Sequence, residues 1–182
     1  MLSRIKGALK VQRQWEEDID HIRRARIDPR FAAPYVPTPM NVVREMLSFA
    51  EVGGDDVLYD LGCGDGRMLL AAALEHGARC VGIEIREDLV EAALKSIDEA
   101  ELESRVKVIQ GDMFEQDISE ATVVTLYLLS TVNIHLKLKL EAELKGGTRV
   151  VCHDYGIDGW RPSASKAVEG RIIKHTLHLY RV

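Results

Sequence analysis

The stretch that decides the fold is Val57-Leu58-Tyr59-Asp60-Leu61-Gly62-Cys63-Gly64-Asp65-Gly66-Arg67-Met68-Leu69-Leu70. Its first five residues are a short apolar run, the pattern of a strand buried on both faces. Three glycines at alternate positions break that run, and an Ala/Leu-rich helical pattern follows over 66–76. Strand, glycine turn and helix in this order make a nucleotide-binding turn. Glycines let the backbone turn tightly and approach a ligand, and the helix start adds exposed N–H groups. The spacing then discriminates. A dinucleotide turn reads G-x-G-x-x-G/A, and its third small residue lets the helix pack close to the strand. Counted from Gly62 that position is Arg67, which does not fit, and the third glycine comes one residue early, at Gly66.

Two acidic positions downstream extend the site. Glu84 closes a second strand pattern over 80–85, 22 residues after Gly62. A carboxylate there can accept both hydroxyls of a ribose. Gly111-Asp112-Met113 directly follows a third strand pattern over 106–109. Asp112 can accept from an adenine amino group, while Met113 offers apolar surface and its backbone N–H to a ring nitrogen. All of these positions fall at strand C-termini, the edge where open α/β sheets bind ligands.

Outward from this core the chain alternates helical and strand patterns. Helices are predicted over 39–51, 66–76, 87–101 and 131–145. The first turns Val42, Val43, Met46, Leu47 and Ala50 inward, the third Leu89, Val90, Ala93, Leu94 and Ile97, and the last Leu136, Leu140 and Leu144. Further strands are predicted over 121–128 and 148–155. The tail, 165–182, alternates with period two and reads as a hairpin turning near Gly170. Alternating strands and helices imply right-handed βαβ units and a doubly wound, mostly parallel sheet: an α/β fold. Lys107, Lys137, Lys139 and Lys145 read as solvated faces.

Charge is unevenly distributed. Residues 1–30 hold eight basic and five acidic side chains, net +3, while the other 152 residues carry −8 of the chain's −5 total. Apolar residues at Leu2, Ile5, Leu9, Trp15, Ile19 and Ile22 make 2–26 an amphipathic helix, so 1–30 is expected to be a basic arm and 31–182 the domain. The arm could pack on the domain or a twin subunit, or dock a substrate or nucleic acid. Acids at Glu16–Asp20 do not suit a transit peptide. No apolar run approaches the ~20 residues that span a bilayer, so no membrane span is expected. Overall acidity argues against stable nucleic-acid binding by bulk charge. Cys63, Cys80 and Cys152 are sparse and lack zinc-type spacing, so no metal is expected and a reducing cytoplasm is the simplest location.

Residues 60–66 resemble the D/E-x-G-x-G-x-G turn of class I S-adenosylmethionine-dependent methyltransferases, and the likeness extends over about 35–182. The resemblance implies a seven-stranded sheet in order 3-2-1-4-5-7-6 with the last strand antiparallel. It also implies S-adenosylmethionine as cofactor and S-adenosylhomocysteine as product. Such a turn faces no pyrophosphate, so Asp60 can sit near the cationic aminoacyl group. The cofactor residues are then Asp60, Gly62, Gly64, Gly66, Glu84, Asp112 and Met113. One departure is the Gly/Pro-rich stretch 156–166, where the family usually has a helix. Tyr35-Val36-Pro37-Thr38-Pro39, Tyr127-Leu128-Leu129-Ser130, Asn133 and 139–155 narrow the likeness. They resemble the small archaeal protein-lysine methyltransferases and the related family that methylates a lysine of the ATP synthase c-subunit. This implies a lysine-bearing protein substrate, with Tyr35 and Thr38 in a loop over the methionine end of the cofactor.

Methyl transfer is an in-line displacement, so the enzyme mainly positions two partners. The acceptor needs a free lone pair, and a lysine of pKa about 10.4 is neutral in only about one molecule in 2,500 at pH 7. Tyr127, Ser130, Asn133 and His153 are the catalytic candidates, with Asp154 beside them, and none is singled out as general base. Proton loss to water would suffice. Ser130 or Asn133 could equally cap a helix, Tyr127 and His153 could be core residues, and Trp160 could be a lid or loop packing. Arg67 could bind a carboxylate or pair with Asp65. Base N-methylation is disfavoured because 127–130 lacks the Asn/Asp-Pro-Pro-aromatic signature. Cys152 lies within a strand and is discounted as a nucleophile. A small-molecule or RNA methyltransferase and a non-catalytic cofactor-binding module remain alternatives.

Overall fold

The computed structural model of the protein describes residues 35–170 and 173–182. The chain divides between Pro37 and Thr38 into two compact units, and the second, Thr38–Val182, is the one described here. The proposed arm helix over 2–26 lies outside the described residues.

The second unit runs α1 (Met40–Phe49), β1 (Val57–Leu61), α2 (Arg67–His76), β2 (Arg79–Glu84), α3 (Glu87–Glu99), β3 (Val106–Gln110), β4 (Val123–Leu126), α4 (Ser130–Glu143), β5 (Arg149–His153), β6 (Ala164–Glu169) and β7 (Lys174–Arg181). The strands form one sheet in the order β3-β2-β1-β4-β5-β7-β6. The pairs among β1 to β5 are parallel, and β7 is antiparallel to both β5 and β6. The expected α/β fold, strand order and tail hairpin are all present. Gly170 sits at the hairpin end, its N–H donating to Ile173 O at 3.0 Å. No helix lies between β5 and β6.

The central strands β1, β4 and β5 are mostly apolar, because α-helices cover both faces of a parallel sheet, and their buried polar residues Asp60, Thr125 and His153 are exceptions. All four residues of β4 are buried, and four of five in β1 and β5. Helix α1 buries Val42, Val43, Met46 and Leu47, its predicted face. Two sequence expectations fail. Leu94, predicted inward on α3, is 48% exposed, because Leu89, Val90, Ala93 and Ile97 already make the stripe that meets the sheet. Lys139, read as solvated, has its side chain only 9% exposed and pairs with Glu143 at 2.6 Å. Glu143 also accepts the Ile118 N–H, so the pair ties α4 to the segment before β4.

The two halves of the sheet are clamped at the strand N-termini. The Arg149 guanidinium binds the Asp56 carboxylate and donates to Ala50 O and Glu51 O. Thr122 Oγ1 donates to Asp56 Oδ1 at 2.7 Å. This leaves the opposite edge, the strand C-termini, to carry chemistry. Among the described residues no helix is long and apolar enough to cross a membrane.

Candidate active site

The glycine turn is built as its spacing predicts. Gly62, Gly64 and Gly66 take φ of 81°, 55° and 79°, a region that a side chain would strain. A Cβ on Gly66 would stand 3.0 Å from the Ala93 Cβ, so the glycine also lets α2 start against α3. Beside Gly62 stand Leu128 and Met113, whose Cε lies 3.8 Å from where a Cβ would be. The loop after β3 therefore meets the glycine turn.

Glu84 is buried at the end of β2. Its Oε2 accepts the Gly64 N–H at 3.0 Å, and its Oε1 accepts the N–H groups of Ile85 and Arg86. The residue read as a ribose acceptor thus also anchors the glycine turn. A carboxylate offers about four acceptor sites, so one on Oε2 remains, room for one ribose hydroxyl where the sequence predicts two, because three backbone N–H groups take the others. Asp112 is half-buried, and its Oδ1 accepts the Phe114 N–H at 2.9 Å, which leaves Oδ2 for an adenine amino group.

Asp60 is 8% exposed, and Thr125 Oγ1 donates to its Oδ1 at 2.6 Å. Burial pushes the Asp60 carboxyl up to about 7. The nearby Glu84 and Asp65 charges add to the rise and the Thr125 bond opposes it. An acid poised there is ready to ionise when a cation arrives. Thr38 is buried; its carbonyl accepts from Arg67 at 2.9 Å and its Oγ1 lies 3.4 Å from His153 Nδ1. Arg67 pairs with Asp65 at 2.5 Å, one of its two predicted roles. Tyr35, read as a cofactor contact, is half-buried in the unit that ends at Pro37.

The catalytic candidates fall at the ends of β4 and β5. The Tyr127 ring stacks on His153, centroids 3.8 Å apart. Burial pushes the Tyr127 hydroxyl up to about 12, so it stays protonated at neutral pH. His153 is fully buried, which lowers its pKa and keeps the ring neutral. Ser130 opens α4 and is exposed, and Asn133 lies one turn in, fully buried. Neither caps the helix: the N-cap is Leu129, with no side-chain cap. Asn133 Nδ2 donates to Tyr155 O at 3.0 Å and to Gly156 O at 3.2 Å, which pins the loop after β5. Its buried Oδ1 has no hydrogen-bond partner. Trp160 proves to be packing, since it stands edge-on to Tyr180 and donates to Glu141 Oε1 at 2.8 Å. Cys152 is fully buried and its thiol is pushed up to about 12 by burial, so it is no nucleophile.

Two residues escaped the sequence reading. Thr125, under Asp60, lies in an apolar strand and gave no motif. His175 reaches His153 and Asp154 from β7 and lies 22 residues from His153, too far for any local ligand pattern.

The strand order, the glycine turn and acids at the ends of β1 and β2 together define an S-adenosylmethionine-dependent class I methyltransferase. Comparison with known proteins narrows the class. The family model of the ANTKMT methyltransferase domain matches residues 60–164, and the chain belongs to that family. It is 50% identical over 148 residues to a protein-lysine N-methyltransferase of Saccharolobus islandicus, covering 81% of this chain and 92% of that one. It is 32% identical over 140 residues to the mouse adenine nucleotide translocase lysine N-methyltransferase, 76% of this chain and 60% of the mouse protein. Among solved structures, an RNA methyltransferase from Salinibacter ruber in complex with S-adenosylhomocysteine superposes with a TM-score of 0.75. It is 50% identical and covers 80% of this chain and 93% of that chain.

Proposed function

We propose that this enzyme methylates the side-chain amine of a lysine in a protein. The observation that carries the reading is 50% identity to the archaeal protein-lysine N-methyltransferase over nearly that protein's whole length. The charge distribution agrees, because a domain of net −8 suits a cationic lysine target better than a phosphate backbone. Selection of the protein would fall to the loops at the strand C-termini and to the basic segment 1–30. Free, buried cysteines fit a reducing compartment such as the cytoplasm.

When bound, S-adenosylmethionine supplies a methyl group on a good leaving group. Glu84 and Asp112 would hold its ribose and adenine, Asp60 its ammonium end, and Met113 its ring face. Tyr127 would touch the acceptor. Its hydroxyl and the Ser130 hydroxyl can accept from the amine and aim its lone pair. Neither Tyr127 nor neutral His153 is a strong base at neutral pH, so the amine's proton leaves to water.

The 50% identity to a protein described as an RNA methyltransferase favours RNA as the second reading. Incubating the purified enzyme with methyl-labelled S-adenosylmethionine and a lysate of its own source separates the two. Label in protein bands, removed by protease and resistant to nuclease, is expected. Label in RNA would overturn the lysine reading, and no transfer despite cofactor binding would point to a non-catalytic module.

A further inference from the structure

The expectation of no metal came from cysteine spacing alone. The histidines tell a different story. His153 Nε2, His175 Nδ1 and Asp154 Oδ2 converge behind Tyr127: the separations are 2.9 Å between the two nitrogens, 3.0 Å from His175 to the carboxylate and 3.4 Å from His153 to it. Both histidines are at most 5% exposed. We propose that these three atoms bind a divalent cation of the zinc class.

Hydrogen bonds alone do not satisfy this triangle. A ring nitrogen has one in-plane direction, which holds either a proton or a lone pair. If His175 Nδ1 carries a proton for Asp154, its N–H also faces His153 Nε2. A proton on that nitrogen then meets a proton, and a lone pair on it stands against the carboxylate. If His153 instead donates to His175, the receiving lone pair of His175 faces the Asp154 carboxylate. With the Asp154 carboxylate ionised, every distribution leaves one of the three contacts repulsive. A cation seated between them attracts all three.

The spacing fits such an ion. With metal–ligand bonds of about 2.1 Å, neighbouring ligands stand about 3.0 Å apart in octahedral and about 3.4 Å apart in tetrahedral coordination. The observed range, 2.9 to 3.4 Å, spans both. An ion about 2.1 Å from each atom stands roughly 1 Å above their plane. Two imidazoles and one carboxylate are a donor set that zinc accepts.

The surroundings are those a ligand set needs. A metal-bound histidine donates its other ring N–H to a fixed acceptor. Here Thr38 Oγ1 lies 3.4 Å from His153 Nδ1. The other Asp154 oxygen, Oδ1, accepts the Thr176 N–H at 2.8 Å, which leaves Oδ2 for the two rings. Asp154 takes φ 59°, an uncommon conformation for a residue with a side chain, and the Asp154 carboxylate meets both rings from that turn. Its side chain is 24% exposed, which gives an ion access and a water ligand. Such an ion would join the end of β5 to β7 and hold fixed the ring on which Tyr127 lies.

The test uses the tag-free full chain, stripped with a chelator and titrated with Zn2+ by calorimetry and with Co2+ by visible absorption. One equivalent per chain is expected, with a Co2+ band typical of low coordination number and a melting temperature that zinc raises. His175→Ala should weaken binding at least a hundredfold and abolish that rise. Thr38→Ala should weaken it about tenfold. Asp154→Asn removes the charge and keeps a residue that tolerates the left-handed turn, so it decides the matter if His175→Ala fails to fold, as judged by S-adenosylhomocysteine affinity. Less than a fifth of an equivalent on the wild-type chain, or unchanged binding in the folded variants, would overturn the site.

Discussion

Thr125 Oγ1 lies 2.6 Å from Asp60 Oδ1, across directly paired positions of the neighbouring strands β4 and β1. This buried bond restrains a carboxyl that burial alone would push higher still. Asp60 ionises at about 7 against an ordinary 3.8. The sign follows. An acid whose folded pKa is raised stabilises the ligand-free fold fully below about pH 4, and that contribution is lost as pH rises to about 7. A cation bound beside Asp60 favours the carboxylate, so cofactor binding releases a proton. S-adenosylhomocysteine, which keeps the ammonium, should bind up to tenfold tighter per pH unit between about 5 and 7, then level off. Methylthioadenosine, which lacks the aminoacyl group, should show no such slope. Thr125→Val should move the slope to higher pH and weaken binding at pH 7 more than at pH 9. Calorimetry across pH checks this, and equal slopes for both ligands would place the ammonium elsewhere.

Glu84 carries two tasks in one carboxylate. Glu84→Gln keeps an oxygen for the Ile85 and Arg86 N–H groups but turns an amide toward the Gly64 N–H, donor against donor. Losing a hydrogen bond to a charged group costs about 1.5–3 kcal/mol. S-adenosylhomocysteine affinity should therefore fall by about 10- to 100-fold, while the circular dichroism spectrum is retained. Unchanged affinity in calorimetry would remove Glu84 from the site.

What could be read in advance follows from where each signal is stored. The glycine turn is local: Gly62, Gly64 and Gly66 follow β1 directly, and their left-handed φ values are what that spacing requires. Helix faces are local too, and Leu94 failed only because its stripe was drawn one residue too wide. Strand order came through family resemblance, since no local pattern encodes which strands pair. His175 shows the limit most clearly. It meets His153 and Asp154 only because β7 runs antiparallel to β5, in a register that sets Leu177 opposite His153. Asn133 was legible as a polar residue at a functional edge, yet its partners are backbone carbonyls, which carry no side-chain signature.

Asn133 accordingly belongs to the frame of the site. Asn133→Ala removes two part-buried hydrogen bonds to the carbonyls of Tyr155 and Gly156, each worth about 0.5–1.5 kcal/mol, a loss of about 1–3 kcal/mol. For a domain of this size that lowers the melting temperature by about 3–10 °C. Cofactor affinity should not change, because the contacts lie at the β5 loop and not at the glycine turn. A fall in kcat with an unchanged melting temperature would instead return Asn133 to the chemistry.

In the proposed reading Tyr127 lies beside the acceptor amine. Its ring covers His153 and its hydroxyl remains protonated at neutral pH. Tyr127→Phe keeps the stacked ring and removes only the hydroxyl. If that oxygen orients the incoming amine, kcat should fall by about 10- to 100-fold, the range one hydrogen bond to a charged or developing charged group supplies. S-adenosylhomocysteine affinity and the melting temperature should stay near wild type. Tyr127→Ala removes the ring as well and should cost stability besides, since it uncovers a buried histidine. If Tyr127→Phe turned over at the wild-type rate while Tyr127→Ala lost stability, the ring would be wall only. Orientation of the amine would then fall to the Ser130 hydroxyl.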